Sequence, residues 1–291
     1  MFCGSGKFGW GKANVKYKTH NIPCTAKDFI FNVFKANGYS TALISNMCVD
    51  YIGDYYGRTS AYHVDYESVM WSCHPEYDVD GQWNSVVGPY GVKRRCIDGR
   101  YVHSYQLDVI KDFVQKHDSK HLPYFSFVSF IEGHEPSMEV VGMVDQELST
   151  LVQYLTSNEL NQPPIILLVA DHGLHYGPMF QQTTAGKMEW RLPILIAITP
   201  NQYLSDTTKQ TLIENEYHLV TPRDLYWTLY NMATDSISKP LHTDDLRRPS
   251  LFHKLSFERD CVSEGIPQHL CACSQDGIKI NPSLYVNETS T

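Results

Sequence analysis

Residues 165–177 read IILLVADHGLHYG, and the fold turns on how this stretch is understood. Six apolar residues follow the breaker Pro163-Pro164 and stop at Asp171, His172 and Gly173, with a second histidine, His175, three positions on. A short run of Ile, Leu and Val bounded by prolines predicts a fully buried strand. Side chains alternate along a strand, so adjacent Asp and His would diverge unless the backbone turns. Gly173 permits any turn at that point. The pair then converges just beyond the carboxyl end of the strand, where open α/β sheets bind ligands.

Composition narrows the field. The 291 residues suffice for one large core, and the charged and apolar fractions are those of a globular chain. A net charge of −8 offers no basic stripe, which argues against nucleic acid as a partner. No apolar run approaches the ~20 residues of a transmembrane helix. The amino terminus, MFCGSGKFGW, has no apolar core of a signal peptide. Yet the eight cysteines and the sequon Asn287-Glu288-Thr289 point to an extracellular or secretory-lumen location, with disulfides. The two observations agree if the chain lacks its true beginning.

Outward from the opening stretch, strands and helices alternate. Residues 26–37 place Phe29, Ile30, Val33 and Phe34 on one helical face, with Gly38 as the stop. A strand is expected at 39–44, a helix near 101–115, a strand at 124–130, a helix at 143–155 and a further strand at 193–198. Thr221-Pro222-Arg223-Asp224 combines a cap, a first-turn proline and a capping-box acid, so it opens another helix. This rhythm predicts an α/β fold, a mostly parallel sheet with helices on both faces. Residues 46–98, rich in Tyr, Gly and Asp and holding Cys48, Cys73 and Cys96, read as a long surface insertion pinned by disulfides. We divide the chain into an irregular segment 1–25, an α/β domain 26–240 and an irregular, cysteine-containing C-terminal tail 241–291. Cys261, Cys271 and Cys273 are expected to hold that tail by disulfides.

Asp and His at a strand end suit zinc or a similar divalent ion. The plain alternative is an aspartate capping its own turn beside a surface histidine. The loop with His134 follows the preceding strand, so in a parallel sheet it reaches the same edge. Glu132 and Glu135 in that loop could also ligate, but a solvated face is the expected role. His175 could ligate, donate a proton to a leaving group, or lie exposed. Lys187, Glu189 and Arg191 precede the next strand; a cation there could meet an oxyanion, or Glu189 and Arg191 could pair beside Pro193. His218 is a weaker candidate. No phosphate loop, nucleophile elbow or dinucleotide fingerprint occurs.

The ordered pieces "ANGYSTALIS", "FVSFIEGHEPS", "VADHGLHYG", "GKMEWRLPILIAITP", "LVTPRDLYWTLYNMA" and "CVSEGIPQHLCAC" resemble the alkaline-phosphatase-like and sulfatase-like superfamily. More narrowly they are similar to an animal family of sulfatase-like ectoproteins of unknown function. The resemblance spans about residues 24–273. It implies Asp171 and His172 as metal ligands and His134 as a second-metal or substrate-facing group. His134, His175 and Lys187 are the implied catalytic candidates, and the cofactor is a divalent metal: zinc, with calcium or manganese as alternatives. The substrate implied is a phosphate or sulfate ester. In that superfamily an acidic ligand and a Thr, Ser or modified Cys nucleophile lie upstream of "ANGYS", and no nucleophile is identified here. Cys24-Thr25-Ala26-Lys27-Asp28 lacks the arginine of the sulfatase signature, and the family's arginine near His175 is absent. The expectation is therefore a hydrolase or transferase impaired by loss of its amino-terminal catalytic segment, with weak zinc binding and apolar sheet surface left exposed. The alternative is a catalytically inactive extracellular binding module.

Overall fold

Phe29, Ile30, Val33 and Phe34 are all buried, as the first amphipathic pattern requires, and Phe31 is buried with them. The computed structural model describes residues 29–46, 63–68, 96–133, 139–175, 177–237 and 250–272. Helix α1 (Ile30–Ala36) has only 7 residues, too few to persist alone in water. Its stability comes from packing, since burying each large apolar side chain contributes roughly 1.5–3 kcal/mol. Gly38, at φ +85°, ends the helix in the left-handed conformation that glycine adopts without strain.

The chain turns directly into β1 (Ser40–Ser45), whose residues after Ser40 are all buried. Strand β1 lies between β2 (Tyr66–Ser68) and β5 (Tyr124–Ser129) and runs parallel to both, with Ala42 opposite Tyr66 and Ser126. The region 46–98 is thus more than a surface insertion, because it supplies an edge strand of the parallel sheet. Before β5 come a small antiparallel pair, β3 (Cys96–Ile97) and β4 (Arg100–Tyr101), and then helix α2 (Val102–Asp118). Asp98 and Gly99 join the pair with φ of 48° and 78°, the positive values of a tight hairpin turn. Cys96 is an exposed free thiol, contrary to the expected disulfide. Cys48 and Cys73 lie outside the described residues.

Alternation along the strands builds a core on each face. Leu43, Phe125 and Phe127 pack with α1 and with α7 (Pro222–Ala233) through Leu225, Tyr226 and Leu229. On the other face Ile44 and Val128 meet Leu107, Ile110 and Val114 of α2 and Leu151 and Leu155 of α3 (Glu139–Leu155). A parallel sheet with helices on both faces is the architecture that the alternating rhythm requires.

Strand β6 (Ile166–Val169) forms where expected and packs on two faces, Ile166 against the second core and Leu167 against the first. It is not the fully buried strand predicted: its first three residues are half-buried and Val169 is exposed. Its backbone partner departs from the expected parallel order. It pairs antiparallel with β7 (Leu195–Ile198), Val169 opposite Leu195. The connection explains the reversal. It forms two short helices, α4 (Gly177–Gln182) and α5 (Thr184–Arg191), packed so closely that a Cβ on Gly186 would stand 2.4 Å from Met179 O. Folding back here returns the chain alongside β6 instead of across the sheet. Ile194 and Ile196, on alternate positions, are exposed, so apolar surface does remain open along this pair.

The loop before β6 is held by Asp118, which accepts bonds from Asn161 N (3.1 Å), Asn161 Nδ2 (2.9 Å) and Gln162 N (2.8 Å). Burial by itself would raise the Asp118 carboxyl, but these donors outweigh it and hold it below the usual aspartate range. A depressed folded-state value means stability that is present above the unfolded value of ~3.9 and lost as pH falls through the folded one. Asp118→Asn is expected to melt several degrees below the parent at pH 7. Thermal unfolding from pH 7 to pH 3 should show that gap closing; a gap independent of pH would count against the assignment.

Beyond α6 (Asp206–Asn215) and α7 the tail is irregular but anchored. Asn215 Nδ2 donates to the carbonyls of Leu251 and His253, both at 2.9 Å, and its Oδ1 accepts from Leu255 N. A disulfide joins Cys261 and Cys271, as the tail's composition required; Cys273 lies outside the described residues. Arg259 donates to Asp224, which itself accepts from Thr221 N at 2.7 Å as the capping-box acid of α7.

Candidate functional site

The Asp-His-Gly turn is built by the β6–β7 pair and the end of α5. Past β6, Ala170 N donates to Ile194 O (3.0 Å) and Gly173 N to Trp190 O (3.1 Å), so residues 170–173 run along residues 190–194. Gly173 has a different justification from the one the sequence suggested. Its φ is not positive; instead, a Cβ there would stand 2.2 Å from Glu189 O. Glycine is required because two backbones touch.

Asp171 performs the plain role weighed for it, since its Oδ1 accepts from His172 N at 3.0 Å. Its other oxygen does something more: Oδ2 stands 3.5 Å from His172 Nε2. The His172 Nδ1 lies 2.8 Å from Gly173 O, which can only accept, so Nδ1 is the donor of that bond. That is the arrangement by which a carbonyl fixes the tautomer of a metal-binding histidine. Two ligand atoms on a tetrahedral zinc, each ~2.0–2.1 Å from the ion, lie about 3.3 Å apart. Carboxylate oxygen and imidazole nitrogen are donor types that a divalent metal accepts, and this pair supplies two of them. The His172 and His175 rings meet edge to face with centroids 4.5 Å apart. Among the described residues, no group of three or more His, Cys, Asp or Glu side chains could hold a metal ion.

The remaining candidates divide. His134 and Glu135 lie outside the described residues. Lys187 is exposed on α5, and "GKMEWR", expected only to precede the strand at 193–198, is helical, with Thr183 capping it by accepting from Gly186 N (3.0 Å). Arg191 does not pair with Glu189; its Nη1 donates to Cys271 O (3.3 Å), fastening the disulfide loop beside the turn. His218 is structural, bonded through Nδ1 to Glu214 O (2.9 Å) and packed 4.0 Å from the Phe257 ring.

Glu132 overturns the expectation of a solvated face. It is buried at the carboxyl end of β5, where its Oε2 accepts from Asn46 Nδ2 at 2.6 Å and its Oε1 lies 3.5 Å from His103 Nδ1. Asn46 Oδ1 in turn accepts from Ile131 N (2.9 Å). Ser104 donates to Glu147 (3.0 Å), which faces the other side of the His103 ring. A buried carboxylate needs such partners. Together they clamp the chain as it leaves β5 towards residue 134. No sequence signal marked Asn46 or His103, since both become informative only when β1, β5 and α2 are brought together.

No helix among the described residues is long and apolar enough to cross a membrane. No curated protein and no solved structure matches the chain. The model of one family, described as a protein of unknown function (DUF229), matches residues 84–290, which include the Asp-His-Gly turn, α5 and the disulfide-closed tail; the chain belongs to that family.

Proposed function

We propose that the protein is a metal-dependent hydrolase or transferase of phosphate or sulfate esters, built on the α/β domain of residues 26–240. Asp171, His172 and His134 would hold the ion, and zinc is the metal their donor types favour, with calcium or manganese as alternatives. The observation that carries this reading is the His172 ring, tied through Nδ1 to Gly173 O with Nε2 turned to Asp171 Oδ2 at 3.5 Å. A bound divalent ion supplies charge stabilisation to an ester oxygen. The chain's own part is to hold that position: Gly173 locks the turn to α5, and the Asn46–Glu132–His103 clamp sets the departure point of the segment bearing His134. Lys187, on the same helix as Trp190, is the candidate cation for an oxyanion. The Cys261–Cys271 disulfide supports an oxidising, extracellular or lumenal setting.

A second reading, an inactive extracellular binding module, draws on a sequence in which no nucleophile is identified. One experiment separates the two. Purified protein is titrated with zinc by calorimetry, then assayed on an aryl phosphate and an aryl sulfate with zinc, manganese or calcium. Zinc binding that Asp171→Ala abolishes is expected under both readings. Turnover that requires Asp171 marks the enzyme; binding with no turnover marks the module. Zinc binding that Asp171→Ala leaves unchanged would remove the site itself.

A further inference from the structure

We infer that the Cys261–Cys271 disulfide governs the order of the Asp-His-Gly turn, acting through Arg191, so that the turn loosens when the bond is reduced. A short series of contacts joins the two. Arg191 is the last residue of α5, and its Nη1 donates to Cys271 O at 3.3 Å. Among the described residues this is the only hydrogen bond of that guanidinium, whose Nε is buried without a partner. One residue back, Trp190 O accepts from Gly173 N at 3.1 Å, and the backbone of Glu189 lies against Gly173. Gly173 O in turn holds His172 Nδ1 at 2.8 Å. Helix α5 has 8 residues, so its last turn depends on tertiary ties to stay wound.

The tail divides into a part that stands without the disulfide and a part that leans on it. Arg259 is bonded to Asp224 and Glu264, and Ile266 N donates to Cys261 O at 2.7 Å. From 267 to 272 no residue is fully buried, and the bonds Leu270 N to Pro267 O and Cys271 N to Gln268 O stay within one 3₁₀ turn (Gln268–Leu270). The cross-link to the buried Cys261 is therefore the main constraint on this last stretch beside α5. Cys271 is half-buried, so an attacking thiolate reaches it before Cys261. A dithiol attacks the Cys271 sulfur, Cys261 leaves as the thiolate, and the second thiol of the reductant then releases Cys271. The protein gains two electrons and two protons as two thiols, and the dithiol becomes a disulfide. As regulation of the site, the inference rests on the proposed reading of the turn; the coupling itself does not.

The test is amide exchange of the full chain, oxidised and after dithiothreitol, with free thiols counted by mass. The Gly173 amide reports the turn, and the amides of Ile110 and Val114, buried in α2, report the whole fold. Exchange at Gly173 is expected to be faster by about tenfold or more in the reduced protein, with Ile110 and Val114 unchanged. The double variant Cys261→Ala with Cys271→Ser should reproduce this, which separates the bond from any other cystine that dithiothreitol opens. Arg191→Met, with the disulfide closed, should speed Gly173 equally, and reduction should then add nothing. Gly173 exchange unchanged with the bond shown open overturns the inference, and so does an equal rise at Ile110 and Val114. A bond that stays closed in the folded protein under excess dithiothreitol overturns it too. Zinc titration of both forms reads the regulatory part. Weaker binding in the reduced form supports it, and equal binding despite faster exchange overturns it. Faster Gly173 exchange in a protein that binds no zinc in either form keeps the coupling and removes the metal site.

Discussion

Gly173→Ala is expected to unsettle the candidate site more than the same change at any other described glycine. The new Cβ would stand 2.2 Å from Glu189 O and 2.8 Å from Glu189 C. Both are backbone atoms in the last turn of α5, so no side chain can swing away to make room. The turn, the helix end or both must move, and overpacking of this kind costs roughly 1–3 kcal/mol. The same movement breaks the Gly173 N to Trp190 O bond and carries the Gly173 carbonyl away from His172 Nδ1. Melting temperature should fall by several degrees and zinc affinity with it. Gly142→Ala is the matched control: it lies in α3 with nothing within 4 Å of its Cβ, so it should be neutral or raise stability by up to ~1 kcal/mol. Equal melting temperatures for the parent and Gly173→Ala would show that the two backbones do not touch as described.

The largest loss of global stability is expected from Arg259→Ala. Its Nη2 donates to both oxygens of Asp224, at 3.1 and 2.8 Å, and its Nε donates to Glu264 at 2.8 Å, with the Asp224 side chain wholly buried. Removing the guanidinium strands a buried carboxylate, which costs about 3–5 kcal/mol in comparable pairs. Asp224 is also the capping acid of α7, so the helix start and the docking of the tail should weaken together. Urea titration measures the loss. The double variant Asp224→Asn with Arg259→Met should be less destabilised than the sum of the single changes, because the amide no longer needs a cation. Strict additivity would argue that the two groups are not coupled.

Much of this fold was legible from local pattern. The face of α1, the cap and box at Thr221 and Asp224, and the apolar runs of β1, β5 and β6 are short-range signals, and each element formed where its pattern lay. The candidate site was legible only in part. Asp171 and His172 could be found because a strand ending in ligand-type residues is a local feature. Glu132 was misjudged for the same reason: a loop glutamate between Ile131 and Gly133 reads as solvated, and nothing nearby in sequence announces Asn46, 86 positions away, as its donor.

By itself, then, the sequence determined the alternation of strands and helices, the helix ends and the chemical types gathered at the turn of residues 171–175. These follow from side-chain period, capping and the backbone preferences of glycine and proline, all of which act within a few residues. Tertiary structure decided the rest. It made β7 antiparallel to β6, because Gly186 lets α5 fold back on α4. It turned "GKMEWR" into a helix capped by Thr183 and gave Arg191 to the Cys271 carbonyl instead of to Glu189. It also set the reason for Gly173, a contact with a backbone sixteen residues on, where the sequence suggested only freedom to turn. Strand direction and backbone contact depend on which distant segments compete for the same space, and that competition is settled only when the chain packs.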